Sequence, residues 1–107
     1  MSYLDTKEHK EWAIEVKHRD HYKCIVCKSE KNLTAHHLIP KENRKYRSNV
    51  NNGVTLCAKH HMRFGYNLSP HSHGSFMFFV FLKNWKPEIF KWVEQNCVNE
   101  ILHQMEL

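Results

Sequence analysis

The chain has 107 residues, a formal charge of +5, four cysteines and ten histidines. That length predicts a single domain, 1–107, with a core small enough that disulfides or a structural metal commonly support it. No positively charged start leads into a long apolar run and a small-residue cleavage site, so the expectation is a cytoplasmic protein with no membrane contact, in a reducing setting where paired cysteines read as metal ligands before disulfides.

In chain order, Asp5-Thr6-Lys7-Glu8 has the form of a capping box, and Trp12, Ala13 and Val16 then recur at helical spacing to about Lys17, which predicts a first helix. Periodicity breaks at Arg19-Asp20-His21-Tyr22, and Cys24-Ile25-Val26-Cys27 with polar 28–32 reads as a tight metal knuckle. Leu33 to Ile39 predicts a short strand ended by Pro40, and polar, basic 41–52 predicts an exposed loop. A second strand is expected at Val54-Thr55-Leu56. A helix should then run from Ala58 to Phe64, stopped by Gly65. The segment 66–74 reads as loop. Phe76 to Leu82 is apolar throughout and predicts a buried element, with helix favoured over strand. Pro87 suits a helix start, and Ile89, Phe90, Val93, Cys97 and Ile101 continue one apolar face towards the C-terminus. The class expected is α+β.

Zinc takes four tetrahedral nitrogen or sulfur ligands, and two pairs with two-residue gaps supply them because each short turn aims both side chains at one point. Cys24-x-x-Cys27 and Cys57-x-x-His60 are such pairs, so these four residues are assigned to a structural zinc. Cys97 has no such partner and is read as core. Adjacent residues on a helix diverge by about 100°, so His61 faces away from the ion that His60 binds. Charge adds a second thread. No acidic residue stands between Glu42 and Glu88, while Arg44, Lys45, Arg47, Lys59, Arg63, Lys83 and Lys86 all lie in that interval. Clustered cations of this kind suit a nucleic-acid partner.

The stretches RDHYKCIVCKSEKNLTAHHLIP and NNGVTLCAKHH resemble the zinc-knuckle type of HNH endonuclease, also called the ββα-metal or His-Me finger family. The resemblance covers about 12–64. It implies a small ββα-metal core; residues after Gly65 lie outside the resemblance, and the helices read above flank that core, at the N-terminus and as a C-terminal extension of about 75–107. It further implies that His37 is the general base, that His36 and His61 bind one catalytic divalent ion, and that Asn52 is the middle letter of the motif, either supporting the loop or approaching the metal. Some members carry a further metal-binding histidine one turn after the position of His61, where this chain has Gly65. The implied activity is hydrolysis of DNA phosphodiesters, by nicking or double-strand cleavage, leaving 5′-phosphate and 3′-hydroxyl ends.

The chemistry asks for the same residue types. A neutral imidazole suits deprotonation of water near pH 7, and a divalent cation offsets charge on the phosphate and the leaving oxygen. Side chains alternate along a strand, so His36 can ligate while His37 reaches water from another direction. Imidazole ligands favour Mn2+, Ni2+, Co2+ or Zn2+ over Mg2+. The partner expected is double-stranded DNA, with Arg44, Lys45 and Arg47 as candidate phosphate contacts, and the sequence leaves the oligomeric state open, a monomer included. Two other readings stand beside this one: a non-catalytic zinc-stabilised DNA-binding module, and an RNA-directed nuclease or toxin, for which Tyr46 and Tyr66 are candidate stacking residues. A compact nuclease of this kind suits a phage or mobile element by analogy.

Overall fold

The computed structural model describes residues 3–64, 69–71 and 74–104. After a 3-10 turn at Tyr3–Asp5, helix α1 spans Lys7–Arg19. Its cap is Thr6, one residue later than the predicted box starts: the Thr6 hydroxyl accepts from the backbone N–H of His9 at 3.2 Å. The helix stops after Arg19, and His21 and Tyr22 then take left-handed φ values of 59° and 54°. Strands β1 (Leu33–His37) and β2 (Gly53–Cys57) form an antiparallel pair with Leu33 opposite Cys57 and His37 opposite Gly53. β1 ends two residues short of the predicted Ile39, although the Leu38 N–H still donates to the Asn52 carbonyl.

This register sorts the side chains. His37, Ala35, Gly53 and Thr55 share the face that packs on α1, while His36, Val54 and Leu56 face the other way. Gly53 is required there, because an added Cβ would stand 2.5 Å from Trp12 Cζ2 and 2.7 Å from Val16 Cγ2. Helix α2 (Ala58–Met62) follows β2 directly and folds back over both strands. It is two residues shorter than predicted, and Phe64 lies beyond it as a buried core residue.

Helices α3 (Ser75–Trp85), α4 (Pro87–Asn96) and α5 (Val98–Gln104) pack on one another and carry Phe78, Phe79, Leu82, Ile89, Val93 and Ile101 into one core with Leu38, Ile39 and Leu56. The apolar stretch of 76–82 is therefore helical. The predicted single C-terminal helix is two, broken at Cys97, whose φ of −151° lies outside the helical range. Cys97 itself is core, and burial pushes its thiol up to about 12. Among the described residues no helix is long and apolar enough to cross a membrane.

Asp20 joins the halves. Its buried carboxylate takes two hydrogen bonds from Arg19, at 2.9 and 2.8 Å, and one from the Thr55 N–H at 2.8 Å, and it pairs with Lys86 Nζ at 3.2 Å. Arg19 also donates to the carbonyls of Val50 and Gly53. The end of α1, the start of β2 and the start of α4 thus meet at one charge cluster.

Candidate active site

Two ligand clusters flank the hairpin. In the first, Cys27 Sγ and Cys57 Sγ lie 3.7 Å apart, and His60 Nδ1 is 3.3 Å from Cys57 Sγ and 3.8 Å from Cys24 Sγ. All four donor atoms lie within 4.8 Å of one another. A tetrahedron with bonds of ~2.3 Å to sulfur and ~2.0 Å to nitrogen has edges of roughly 3.5–3.8 Å, so this donor set fits zinc. The backbone prepares it: the Cys24 N–H donates to the Ser29 carbonyl, the Lys28 N–H to the Cys24 carbonyl, and Lys28 takes φ 67° to close the turn. A bond from the Ile25 N–H to the Thr55 carbonyl fastens the knuckle to β2.

The second cluster is built from His36, His61 and His71, whose ring nitrogens also lie within 4.8 Å of one another. Ring centroids are separated by 5.3 Å for His36 and His61, 4.7 Å for His36 and His71, and 5.0 Å for His61 and His71. His36 is 3 % exposed and packs edge-on against Phe78. Burial lowers all three pKa values, that of His36 furthest, and the neighbouring imidazoles lower His36 and His71 again. Three neutral imidazoles that bring a ring nitrogen each within 4.8 Å of the others are a suitable donor set for a divalent transition ion. His60 and His61, neighbours in sequence, therefore face different clusters.

His71 is the residue that sequence reasoning missed. The position at which some members carry a third histidine is Gly65 here, and the loop expected over 66–74 assigns no ligand of its own. The stretch Ser69-Pro70-His71-Ser72-His73-Gly74 carried a signal, two histidines in a turn-forming segment shortly after His61. The fold brings His71 in: Pro70 is buried, the His71 N–H donates to Ser69 Oγ at 3.1 Å, and the His71 carbonyl accepts from the Gly74 N–H at 3.0 Å.

His37 occupies the opposite face of β1. Its imidazole lies parallel to the Trp12 indole, with centroids 3.8 Å apart and planes 6° apart. Its Nε2 is 2.9 Å from the Arg47 carbonyl. A carbonyl only accepts, so Nε2 carries the proton and Nδ1 keeps the basic lone pair. Burial depresses the pKa of His37 to about 4, with the Arg47 carbonyl partly opposing it and His9 and Lys41 adding to it. The neutral ring is the form present at pH 7. An open cleft of about 580 Å³ is lined by His36, His37, His61 and His71 together with His9 and Lys41.

Asn52 is fully buried beneath this site. Its side-chain oxygen accepts from the Ile39 N–H at 2.7 Å, and its amide donates to the carbonyls of Ile39 at 3.0 Å and Tyr46 at 3.2 Å. Of the two roles the motif allows, this geometry fits support of the 38–52 loop. The basic candidates sit on that loop's outer side. Arg44 and Lys45 are exposed, with Lys45 Nζ 5.1 Å above the Tyr46 ring, and the Arg47 guanidinium lies 4.3 Å over the ring of Tyr3. Lys86, by contrast, is taken up by Asp20 and Glu88. Tyr46 is buried and donates to the Asn96 carbonyl at 3.1 Å, so it offers no stacking face to a single strand; Tyr66 lies outside the described residues.

No curated protein and no solved structure matches the chain. The family model for HNH endonuclease matches residues 24–82, more than half of the sequence, from the first knuckle cysteine through the segment that carries His71 and into α3. With a knuckle whose donors fit zinc, an antiparallel hairpin and the following helix all inside that match, the chain belongs to the HNH endonuclease family.

Proposed function

We propose that the protein is a metal-dependent endonuclease that hydrolyses DNA phosphodiester bonds, with His37 as general base and His36, His61 and His71 holding one divalent ion. The observation that carries this reading is the single cleft that contains both groups: a neutral imidazole with its proton fixed on Nε2, and three convergent imidazoles with depressed pKa values. When bound, the ion would offset the charge that builds on the phosphate and the leaving oxygen.

The protein's own residues prepare the rest. The Arg47 carbonyl holds His37 in the tautomer that leaves Nδ1 to accept a proton from water, and the Trp12 face fixes the ring plane and keeps water off it. Asn52 sets the loop from which that carbonyl projects. Arg44, Lys45 and Arg47 supply positive charge along the loop's rim, suited to the phosphates of double-stranded DNA. The knuckle of Cys24, Cys27, Cys57 and His60 would hold zinc and thereby fix the start of α2, which presents His61.

The test is incubation of supercoiled plasmid with the purified protein and Mg2+, Mn2+, Ni2+, Co2+ or Zn2+, with chelator as control and His37→Ala in parallel. Ion-dependent nicking or linearisation by the wild type, lost in the variant while DNA affinity stays, is the expected result. Binding without cleavage under every ion would leave a DNA-binding zinc module, and cleavage confined to RNA would reassign the substrate.

A further inference from the structure

The family match begins at residue 24, yet the candidate base is enclosed by residues well upstream of it. Tyr3 Oη donates to the Arg47 carbonyl at 2.8 Å, the same oxygen that accepts from His37 Nε2 at 2.9 Å. The Tyr3 hydroxyl also lies 3.1 Å from Ser48 Oγ, and Ser48 in turn donates to Glu8 on α1. Trp12 Nε1 donates to the Asn49 carbonyl at 2.8 Å while its ring stacks on His37. Three consecutive loop residues, Arg47, Ser48 and Asn49, are thus each tied to the segment 3–12.

The Asn52 side chain holds this loop from inside, through Ile39 and Tyr46, and its backbone N–H donates to the Asn49 carbonyl at 2.9 Å; these bonds go to Ile39, Tyr46 and Asn49 and not to the Arg47 carbonyl. The outer tethers therefore do something that the motif's own asparagine does not. A carbonyl on a partly exposed loop can rotate about its peptide plane, and a rotation would withdraw the acceptor that selects the His37 tautomer. With two donors converging on it, from Tyr3 and from His37, the oxygen has one orientation that satisfies both. Tyr3 is itself anchored, since its carbonyl accepts from Thr6 Oγ1 at 2.6 Å and from the Thr6 N–H at 3.0 Å, at the cap of α1. Its ring further seats the Arg47 guanidinium at 4.3 Å.

We infer that the N-terminal segment is a working part of the active site, in which Tyr3 and Trp12 are positioning residues that hold the Arg47 carbonyl and the ring of His37 in register for proton abstraction. This rests on the reading of His37 as general base. It assigns Tyr3 two separable tasks. The hydroxyl orients the base through the Arg47 backbone, and the ring holds the Arg47 side chain where it meets phosphate.

Steady-state cleavage of plasmid DNA with Mn2+ by the wild type, Tyr3→Phe, Tyr3→Ala and His37→Ala tests it, with zinc content and melting temperature measured on each. Tyr3→Phe should lower kcat roughly tenfold, the scale of a small misplacement of a reacting group, while leaving KM, zinc content and melting temperature as in the wild type. Tyr3→Ala should show the same loss in kcat and in addition a raised KM, because the seat of Arg47 is gone. A Tyr3→Phe enzyme with wild-type kcat, beside an inactive His37→Ala, would overturn the brace and leave the nuclease reading standing. A fall in kcat matched by lost zinc or a lower melting temperature would assign Tyr3 to folding and overturn it as well. Undiminished cleavage by His37→Ala would instead remove the base on which the inference rests.

Discussion

At the scale of single residues, His60 and His61 divide two candidate ligand clusters between neighbouring positions. His60 turns Nδ1 towards the cysteine sulfurs, and His61 turns its ring to His36 and His71. His60→Ala should therefore lose bound zinc and lower the melting temperature, since a structural zinc contributes directly to folding free energy. His61→Ala should keep both and lose ion-dependent cleavage. Metal analysis and thermal melts of the two variants check this, and loss of zinc from His61→Ala would reverse the assignment. His71 makes a third case. Removing it takes one of three imidazoles from the cluster, so His71→Ala should need at least ~10-fold more divalent ion for half-maximal cleavage, with zinc content unchanged. A metal titration of cleavage at fixed DNA reads this out, and an unchanged midpoint would exclude His71 from the ion's shell.

At the scale of elements, the Asp20 cluster fixes how α1, β2 and α4 meet. Burial alone would raise the pKa of Asp20, but the Arg19 guanidinium and the Thr55 N–H override it, and the carboxyl is held below its ordinary value. A carboxylate with a depressed folded-state pKa contributes stability that is complete above its unfolded value, ~3.9, and is lost as pH falls through the folded value. Asp20→Asn should cost about 3 kcal/mol at pH 7, because it takes the counter-charge from the largely buried Arg19 guanidinium and leaves Lys86 to the exposed Glu88. The gap between wild type and variant should close below about pH 4. Urea melts across pH measure both, and a gap that stayed constant through that range would show that the carboxylate's charge is not what stabilises the junction. The elements themselves were mostly legible from sequence. Cys24-x-x-Cys27 and Cys57-x-x-His60 declare the knuckle by spacing, and the short apolar stretches on either side of a polar loop declare the hairpin. The break at Cys97 was not legible, because the apolar face runs through it and only its backbone angle ends the helix. Tyr3 was hidden for a different reason. Tyr3 meets its loop partner 44 positions away, and no local periodicity encodes such a pairing.

At the scale of the whole molecule, the basic rim of the 38–52 loop stands beside the cleft. Neutralising Arg44, Lys45 and Arg47 together should weaken DNA binding and flatten the dependence of log K on log salt by up to about 3, if each residue displaces one counterion. Affinity measured across a salt series tests this, and an unchanged slope would move the DNA surface elsewhere. The peptide bond between His60 and His61 carries one more consequence. It makes the two clusters hierarchical in time: an ion held by three imidazoles at an open cleft should exchange quickly, whereas one caged by three sulfurs and a nitrogen should leave slowly and take the start of α2 with it. Chelation should then inactivate in two phases. Inhibition in the first minutes should be reversed by Mn2+ alone, and inhibition after long exposure only by zinc followed by refolding, so the duration of a chelator control decides which of the two ions it reports.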